Sequence, residues 1–449
     1  GKLNFLPGVL AKDGVSPFWP VIDNIKGNFV FDKARMEIRA ETAQTNQVPV
    51  SKVLAVIPDL ASHEAVLTID GNAAGSLQGM FNYVKASPVD DWLGNFLHDS
   101  SATGNAQLAL KLQLPLHAII DSKVYGALTL NANDTVLQPG LPLVSGLSGK
   151  LEFNERGVNL NTLKANALGG PLIANGGTQK DGAIRIKLDG LATSEGIQKH
   201  FEGAEFAPLL NRISGNSRYL AQINVKRRQL ELQVDSNLQG FGIDFPTPFN
   251  KEPTVNLPLH FDMQTDTSGD TNETRDIIKL NAGEVLQAVY QRKRLADRNA
   301  KFQVLRGAIA VNAMPRLPEE GLLLQVESKN VNLDDWKNLV VVPSKTNGAG
   351  ETEAALNSDM MQYVFPNRIS LVTDELQIFG KKIEKIVLGG SRVGKIWQAN
   401  VESKQASGSI EWIQPNEKYQ NGLISAKLGR LYIPRSAAAD VSELLQAKN

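Results

Sequence analysis

The chain has 449 residues, 47 Lys+Arg balanced by 47 Asp+Glu, and no cysteine. Zero net charge argues against nucleic-acid binding, which needs a basic face to neutralise phosphates. Without cysteine there are no disulfides, thiolate metal sites or Cys nucleophile, a composition that suits an extracytoplasmic protein.

No run of about 18 apolar residues is present to span a bilayer. No charged n-region precedes an apolar h-region either, so no signal peptide is read. The chain opens at GKLNFLPGVL without Met, as an internal fragment would, and any membrane anchor is expected outside it.

Period-2 alternation dominates in chain order. VLTID (66–70) reads as a strand, VDDWLGNFL (89–97) as a weak helix, and QLALKLQLPL (107–116) as a strand. That last strand carries Leu108, Leu110, Leu112, Leu114 and Leu116 on one face and Gln107, Ala109, Lys111, Gln113 and Pro115 on the other. YGALTLNAN (125–133) and AIRIKLDG (183–190) are strands; SEGIQKHFEGAEFAPLLNRI (194–213) has helical spacing with Ser194 as N-cap. QLELQVDSNL (229–238), GLLLQVES (321–328) and KIWQANVESK (395–404) are strands, while EVLQAVYQRKRLA (284–296) fits either a helix or a strand and is read as a strand. LDDWKNLVV (333–341) and a stretch near 355–364 are helices, while 265–276 and 346–354 are exposed loops.

Turn signals at Asn133-Asp134, Gly169-Gly170-Pro171, Asn175-Gly176-Gly177, Lys180-Asp181-Gly182 and Gly389-Gly390 separate strands at intervals of roughly ten residues. That spacing predicts a mainly β fold, a long antiparallel β-meander sheet with a few short amphipathic helices. An internal repeat supports stacked units: WPVIDNIKGNFVFD (19–32) aligns without gaps to LPLVSGLSGKLEFN (141–154), pairing Gly27 with Gly149 and Phe31 with Phe153. Segments 1–140, 141–264 and 277–449 are read as successive parts of one continuous body.

Catalytic and metal signals are weak. Asp90-Asp91-Trp92 and Asp334-Asp335-Trp336 read as acids in the first turn of a helix rather than as acid–base pairs. His63, His98, His117, His200 and His260 show no ligand spacing, so no metal is expected. Neither a phosphate-cradling glycine motif nor a G-x-S-x-G elbow occurs. The reading is therefore not an enzyme and needs no cofactor; a glycan hydrolase on a β-body would require paired carboxylates that do not stand out.

SNLQGFGIDFPTPFNKE (236–252) followed by LPLHF (257–261) resembles the most characteristic stretch of the YhdP-type AsmA-like family, in which a Ser-Asp-Leu-x-Gly strand runs into a Leu-Pro-x-Pro turn and a Lys. LPLVSGLSGKLEFNERGVNLNTLKANALGGPL (141–172) is similar to a second family signature, and VNLDDWKNL (331–339) and NVESKQASGSIEW (400–412) resemble later segments. Asn237 departs from the usual Asp, and family members are longer, with an N-terminal membrane helix. The resemblance implies a periplasmic Gram-negative protein, anchored in the inner membrane and reaching toward the outer one. It further implies a sheet curled into an elongated open hydrophobic groove that takes part in phospholipid movement.

On that reading the groove lining includes Leu108, Leu110, Leu112, Leu114, Leu116, Ile184, Ile186, Leu188, Leu230, Leu232 and Val234, with phospholipid acyl chains as partners. Lys226-Arg227-Arg228 is a solvated hairpin turn or a contact for lipid phosphates, and Arg292-Lys293-Arg294 has the same two readings. Pro246 and Pro248 stop a strand at a rim. The competing expectation is a structural or scaffolding β-rod whose apolar face is its own core and which acts through protein partners.

Overall fold

The computed structural model describes residues 20–432 apart from 88, 93–96, 98, 119–120, 139, 205, 227–228, 267–272, 296–300, 337–338, 340–360, 417–418 and 421. The described fold is mainly β, an open mixed sheet not closed into a barrel, as the alternation predicts. The chain divides into two units, residues 1–200 with 215–239 and residues 201–214 with 240–449.

The first unit is a meander. Its strands are β1 (Asp23–Asp32), β2 (Arg35–Thr45), β3 (Val48–Ile57), β4 (Val66–Ser76), β5 (Ser101–Thr103), β6 (Asn105–Pro115) and β7 (Lys123–Val136). They continue with β8 (Val144–Asn154), β9 (Gly157–Ala167), β10 (Gly169–Thr178), β11 (Ile184–Thr193), most of β12 (Ile213–Lys226), and β13 (Gln229–Ser236). Neighbours pair antiparallel throughout; short β5 pairs with β7 while β6 takes β4 as its partner. Helix α1 (Leu77–Lys85), which the alternation hides, starts at Ser76, whose Oγ accepts the Gly79 N–H at 3.4 Å.

Three predicted turns lie inside strands instead. Asn133 falls in β7, after a positive-φ residue, Ala132 at 53°, that bulges the strand. Its buried amide accepts the Asn131 N–H at 2.9 Å and donates to Thr103 O and Asn105 O, both at 3.1 Å. Gly176 lies in β10 opposite Leu160 and Ile186, where a Cβ would collide with the Arg185 carbonyl oxygen. Gly389-Gly390 lies inside the strand Lys381–Val393. At Asn133 and Gly176 the residue needed for a bulge or a close approach in a strand is also a turn former.

The predicted helix 194–213 breaks into α3 (Ser194–His200) and α4 (Ala207–Leu210). Gly203 between them has φ 88°, Pro208 opens α4, and Ile213 already belongs to β12. Only Val89–Trp92 (α2) of the predicted helix 89–97 is described as helical.

The second unit contains β14 (Phe241–Ile243), β15 (Leu259–Asp266), β16 (Glu273–Ala282), β17 (Leu286–Leu295), β18 (Gln303–Val311) and β19 (Gly321–Asn332). It continues through β20 (Arg368–Ile378), β21 (Lys381–Val393), β22 (Ile396–Glu402), β23 (Ala406–Ile413) and β24 (Leu423–Leu431). β15 and β16 occupy much of the predicted loop 265–276, and its centre lies outside the described residues, as does 346–354. The strand reading of 284–296 holds as β17.

The meander is interrupted here, because β18–β19 and β19–β20 pair parallel. Parallel neighbours need a return crossover. Residues 312–320 make the first, and the described part of the second carries α5 (Leu333–Trp336) and α6 (Met361–Val364). Period-2 patterning marks strands but not their direction, so the sequence did not separate these two pairs from hairpins.

The core sits on one side of each sheet. One cluster joins Ala165, Ala167 and Leu172 to Val144, Leu147, Leu188 and Tyr219; the other joins Leu371, Leu376, Ile386 and Val401 to residues of β19, β21 and β23. Each draws only on neighbouring strands of one sheet face. Neither contains the interdigitated second layer of a sandwich core.

Candidate functional site

Directly opposed residues share a sheet face, so register decides which side chains meet. Leu108, Leu110 and Leu112 of β6 lie opposite Ala73, Gly71 and Ile69 on β4 and opposite Leu128, Gly126 and Val124 on β7. Leu114 faces Leu67. The same face continues through Leu151 and Phe153 on β8 to Leu160 and Val158 on β9, and then across β10.

Ile184, Ile186 and Leu188 of β11 are opposed by Val225, Ile223 and Ala221 on β12, which in turn face Leu230, Leu232 and Val234 on β13. Ten of the eleven predicted lining residues therefore lie on one face. Leu116 is one residue past the end of β6 and 37% exposed. In the other direction Ile69 is opposite Ala55, Ala55 opposite Ile38, and Ile38 opposite Phe29 of β1, where Phe29 and Phe31 are each 59% exposed. Twelve strands at ~4.8 Å spacing carry this apolar surface over about 50 Å.

The leucines of β6 are half-buried and alternate with exposed residues, whereas Ile184, Ile186 and Leu230 are buried. The opposite face carries ion pairs, among scattered exposed apolar residues such as Ile173 and Leu220. Lys111 Nζ reaches Asp70 at 3.4 Å, Arg218 reaches Asp189 at 2.8 Å, and Lys150 reaches Glu152 at 2.7 Å. The hydrogen bond from Lys150 holds the Glu152 carboxyl below the usual carboxylate range. Such exposed pairs contribute little to stability; they keep this face wet.

The second unit repeats the arrangement. Ile278 lies between Met263 and Tyr290, and Leu371 lies between Val326 and Leu388. One end of the face carries charge. Arg292 is opposite Asp276 and reaches it at 2.8 Å, with side chains only 17% and 5% exposed. Burial raises the Asp276 carboxyl against the pull of Arg292. Arg292 also donates to Tyr363 Oη at 3.1 Å and stacks 3.8 Å over Phe302. At the same end of the sheet Arg392 lies over the rings of Phe365 and Trp397.

Arg292-Lys293-Arg294 is thus within β17 and not a hairpin turn. Of the other basic triplet, Lys226 ends β12 with Nζ 3.5 Å from Asp181, and Arg227 and Arg228 lie outside the described residues.

The resemblance-bearing motifs have structural work. In the second unit Gly240 N–H donates to Pro253 O, and Ile243 and Lys251 exchange backbone hydrogen bonds. The buried Lys251 ammonium donates to Phe241 O at 2.8 Å and Glu252 O at 3.1 Å, and burial lowers its pKa. Trp336 stacks on Phe245 and meets Phe249 edge-on, so this loop and the later Asp-Asp-Trp pack together. Asp334, in the first turn of α5, accepts the N–H groups of Phe379 and Gly380 at 2.7 and 2.8 Å, clamping the β20–β21 turn.

Among the described residues no three His, Cys, Asp or Glu side chains group as a metal site, although the exposed rings of His63 and His117 stack at 4.9 Å. No described helix is long and apolar enough to cross a membrane.

The family model described as YhdP protein matches residues 1–448. A curated relative, the Intermembrane phospholipid transporter YhdP of Escherichia coli (strain K12), is 27% identical over 185 residues, covering 40% of this chain and 14% of that protein. The chain thus aligns to about a seventh of its relative's length.

Proposed function

This chain belongs to the YhdP protein family, and we propose that it is a segment of a non-enzymatic conduit for phospholipids between the inner and outer membranes of a Gram-negative bacterium. Acyl chains lie along the apolar face while head groups ride its wet edge in the periplasm. On this reading the lining includes Leu108, Leu110, Leu112 and Leu114 on β6, with Ile184, Ile186 and Leu188 on β11 and Leu230, Leu232 and Val234 on β13.

The observation that carries this reading is the apolar face that runs from strand to strand of an open sheet, with no facing layer in either of its two described strand clusters. A continuous apolar surface of that extent needs a cover in water, and hydrocarbon chains cover it without demanding matched shape. The relative named a phospholipid transporter supplies the chemistry of that cover. The segment lowers the barrier to carrying a lipid through water and supplies no direction of its own.

Mass spectrometry of an organic extract of the purified chain tests this. Co-purifying phospholipid in stoichiometric amount is the expected result. A lipid-free chain that also takes up no phospholipid on incubation would favour the scaffolding rod instead.

A further inference from the structure

Among the described residues the apolar face of the second unit carries Arg292 and Arg294 on β17 and Arg392 on β21 at one end, and Arg292 and Arg392 are satisfied differently. Arg292 is neutralised by Asp276 and held by Tyr363. Arg392 makes no ion pair among the described residues, and its Nε is buried without a hydrogen-bond partner. Register surrounds it with uncharged groups: it faces Trp397, which faces Trp412, and Gly390 and Ala399 are the next pair along the face.

The guanidinium is nevertheless held in place. Its Cζ lies 5.1 Å from the Phe365 ring centre and 5.9 Å from that of Trp397, and its backbone N–H donates to Asn367 O at 2.8 Å. Lys395, at the tip of the β21–β22 hairpin, adds a second cation with no ion pair among the described residues. Trp412, 40% exposed, completes a rim of indole and cation of the kind that suits a lipid–water boundary.

Resting on the lipid reading of the apolar face, we propose that Arg392 is a head-group site that binds the phosphate of a diacyl phospholipid whose chains run down β21. A planar guanidinium with free N–H groups matches phosphate oxygens in charge and geometry. The lengths agree. An acyl chain covers about 15 Å, half the ~30 Å hydrocarbon core of a bilayer. Leu388 and Ile386, on the same face as Arg392, lie about 14 and 20 Å from it at ~3.4 Å per residue. Charge complementarity selects a phosphate-bearing lipid over a neutral one, and the apolar track selects a lipid over free phosphate.

The test uses the full chain and the variants Arg392→Gln, Arg392→Lys and, as a control on the opposite face, Arg368→Gln. Each is incubated with detergent-dispersed dioleoylphosphatidylglycerol or with dioleoylglycerol, freed of detergent, and assayed for bound lipid by mass spectrometry, with circular dichroism as the folding check. Arg392→Gln should weaken phosphatidylglycerol binding about tenfold or more, as loss of a charge-assisted contact does. It should leave dioleoylglycerol unchanged, Arg392→Lys should recover part of the loss, and Arg368→Gln should match the parent.

Unchanged phosphatidylglycerol binding in a folded Arg392→Gln chain, or equal loss of both lipids, overturns the proposal while leaving the lipid reading of the face intact. Uptake of neither lipid by the parent chain sinks that reading first. Inorganic phosphate alone binding as tightly as phosphatidylglycerol would identify an anion site and also overturn the proposal.

Discussion

Leu112→Asp separates a lipid-bearing face from a dry core, because the two assign very different energies to the same change. Leu112 is half-buried, opposite Ile69 and Val124, with Leu110 and Leu114 beside it on β6. Fully burying a leucine is worth about 1.5–3 kcal/mol, so a half-buried one contributes about 1 kcal/mol. The new carboxylate keeps access to water and ionises in place, so no large desolvation cost is added. With an m-value of about 1–3 kcal/mol/M, the urea midpoint should fall by roughly 0.3–1 M. Lipid binding should suffer far more, because a chain laid over the site must strip water from a charge that finds no partner there. The assay pairs urea unfolding with bound phospholipid per chain. A stability loss above about 4 kcal/mol would refute the reasoning, since that is the signature of an unpaired charge in a packed interior. So would normal lipid loading in the variant.

Asn133→Ala should destabilise the first unit by about 3 kcal/mol, measured by urea unfolding, because it orphans one N–H and two carbonyls in a buried bulge. Burial lowers the pKa of His200 below its ordinary 6.5, so the folded chain takes up this proton less readily than the unfolded one. Stability should therefore be level above pH 6.5 and decline as pH falls through 6.5 toward the folded value; His200→Gln should flatten that decline in urea midpoints compared at pH 7.5 and 5.5. Asp276→Asn should cost about 3 kcal/mol at neutral pH by leaving Arg292 buried without its counter-charge, whereas Arg392→Gln should leave the urea midpoint nearly unchanged.

Much of this fold is written in the period-2 code. Each predicted strand, including the ambiguous 284–296, falls on an observed one, and the leucine phase of 107–116 gives the correct face of β6. What the code omits is directional and compensatory. Nothing in GLLLQVES states that β19 lies parallel to both neighbours. Gly176 reads as a turn because its role, making room between Leu160 and Ile186, depends on residues on two other strands. Helix α1 is hidden because LQGMFNYVK is short and carries a glycine and an asparagine. Arg392 had a usable signal that period counting passes over. It occupies the phase of Ile386 and Leu388, where an apolar residue is expected, and faces one Trp that faces another.

That phase matters more than the local density of basic residues. A run of adjacent cations on a strand splits across its two faces, as Arg292 and Lys293 do: Arg292 meets buried Asp276, while Lys293 reaches Glu273 at 3.7 Å. Local density of charge therefore says little about charge on the apolar face. What matters is a cation in the apolar phase with no acid opposite it in register, since only such a group keeps its charge available to a guest. Asp276 removes Arg292 from that class, and Asp181 draws Lys226 into an exposed pair. Among the described residues Arg392 meets both conditions, with the rings of Phe365 and Trp397 beside it, which is why the proposed head-group site is put there rather than at Arg292 or Lys226.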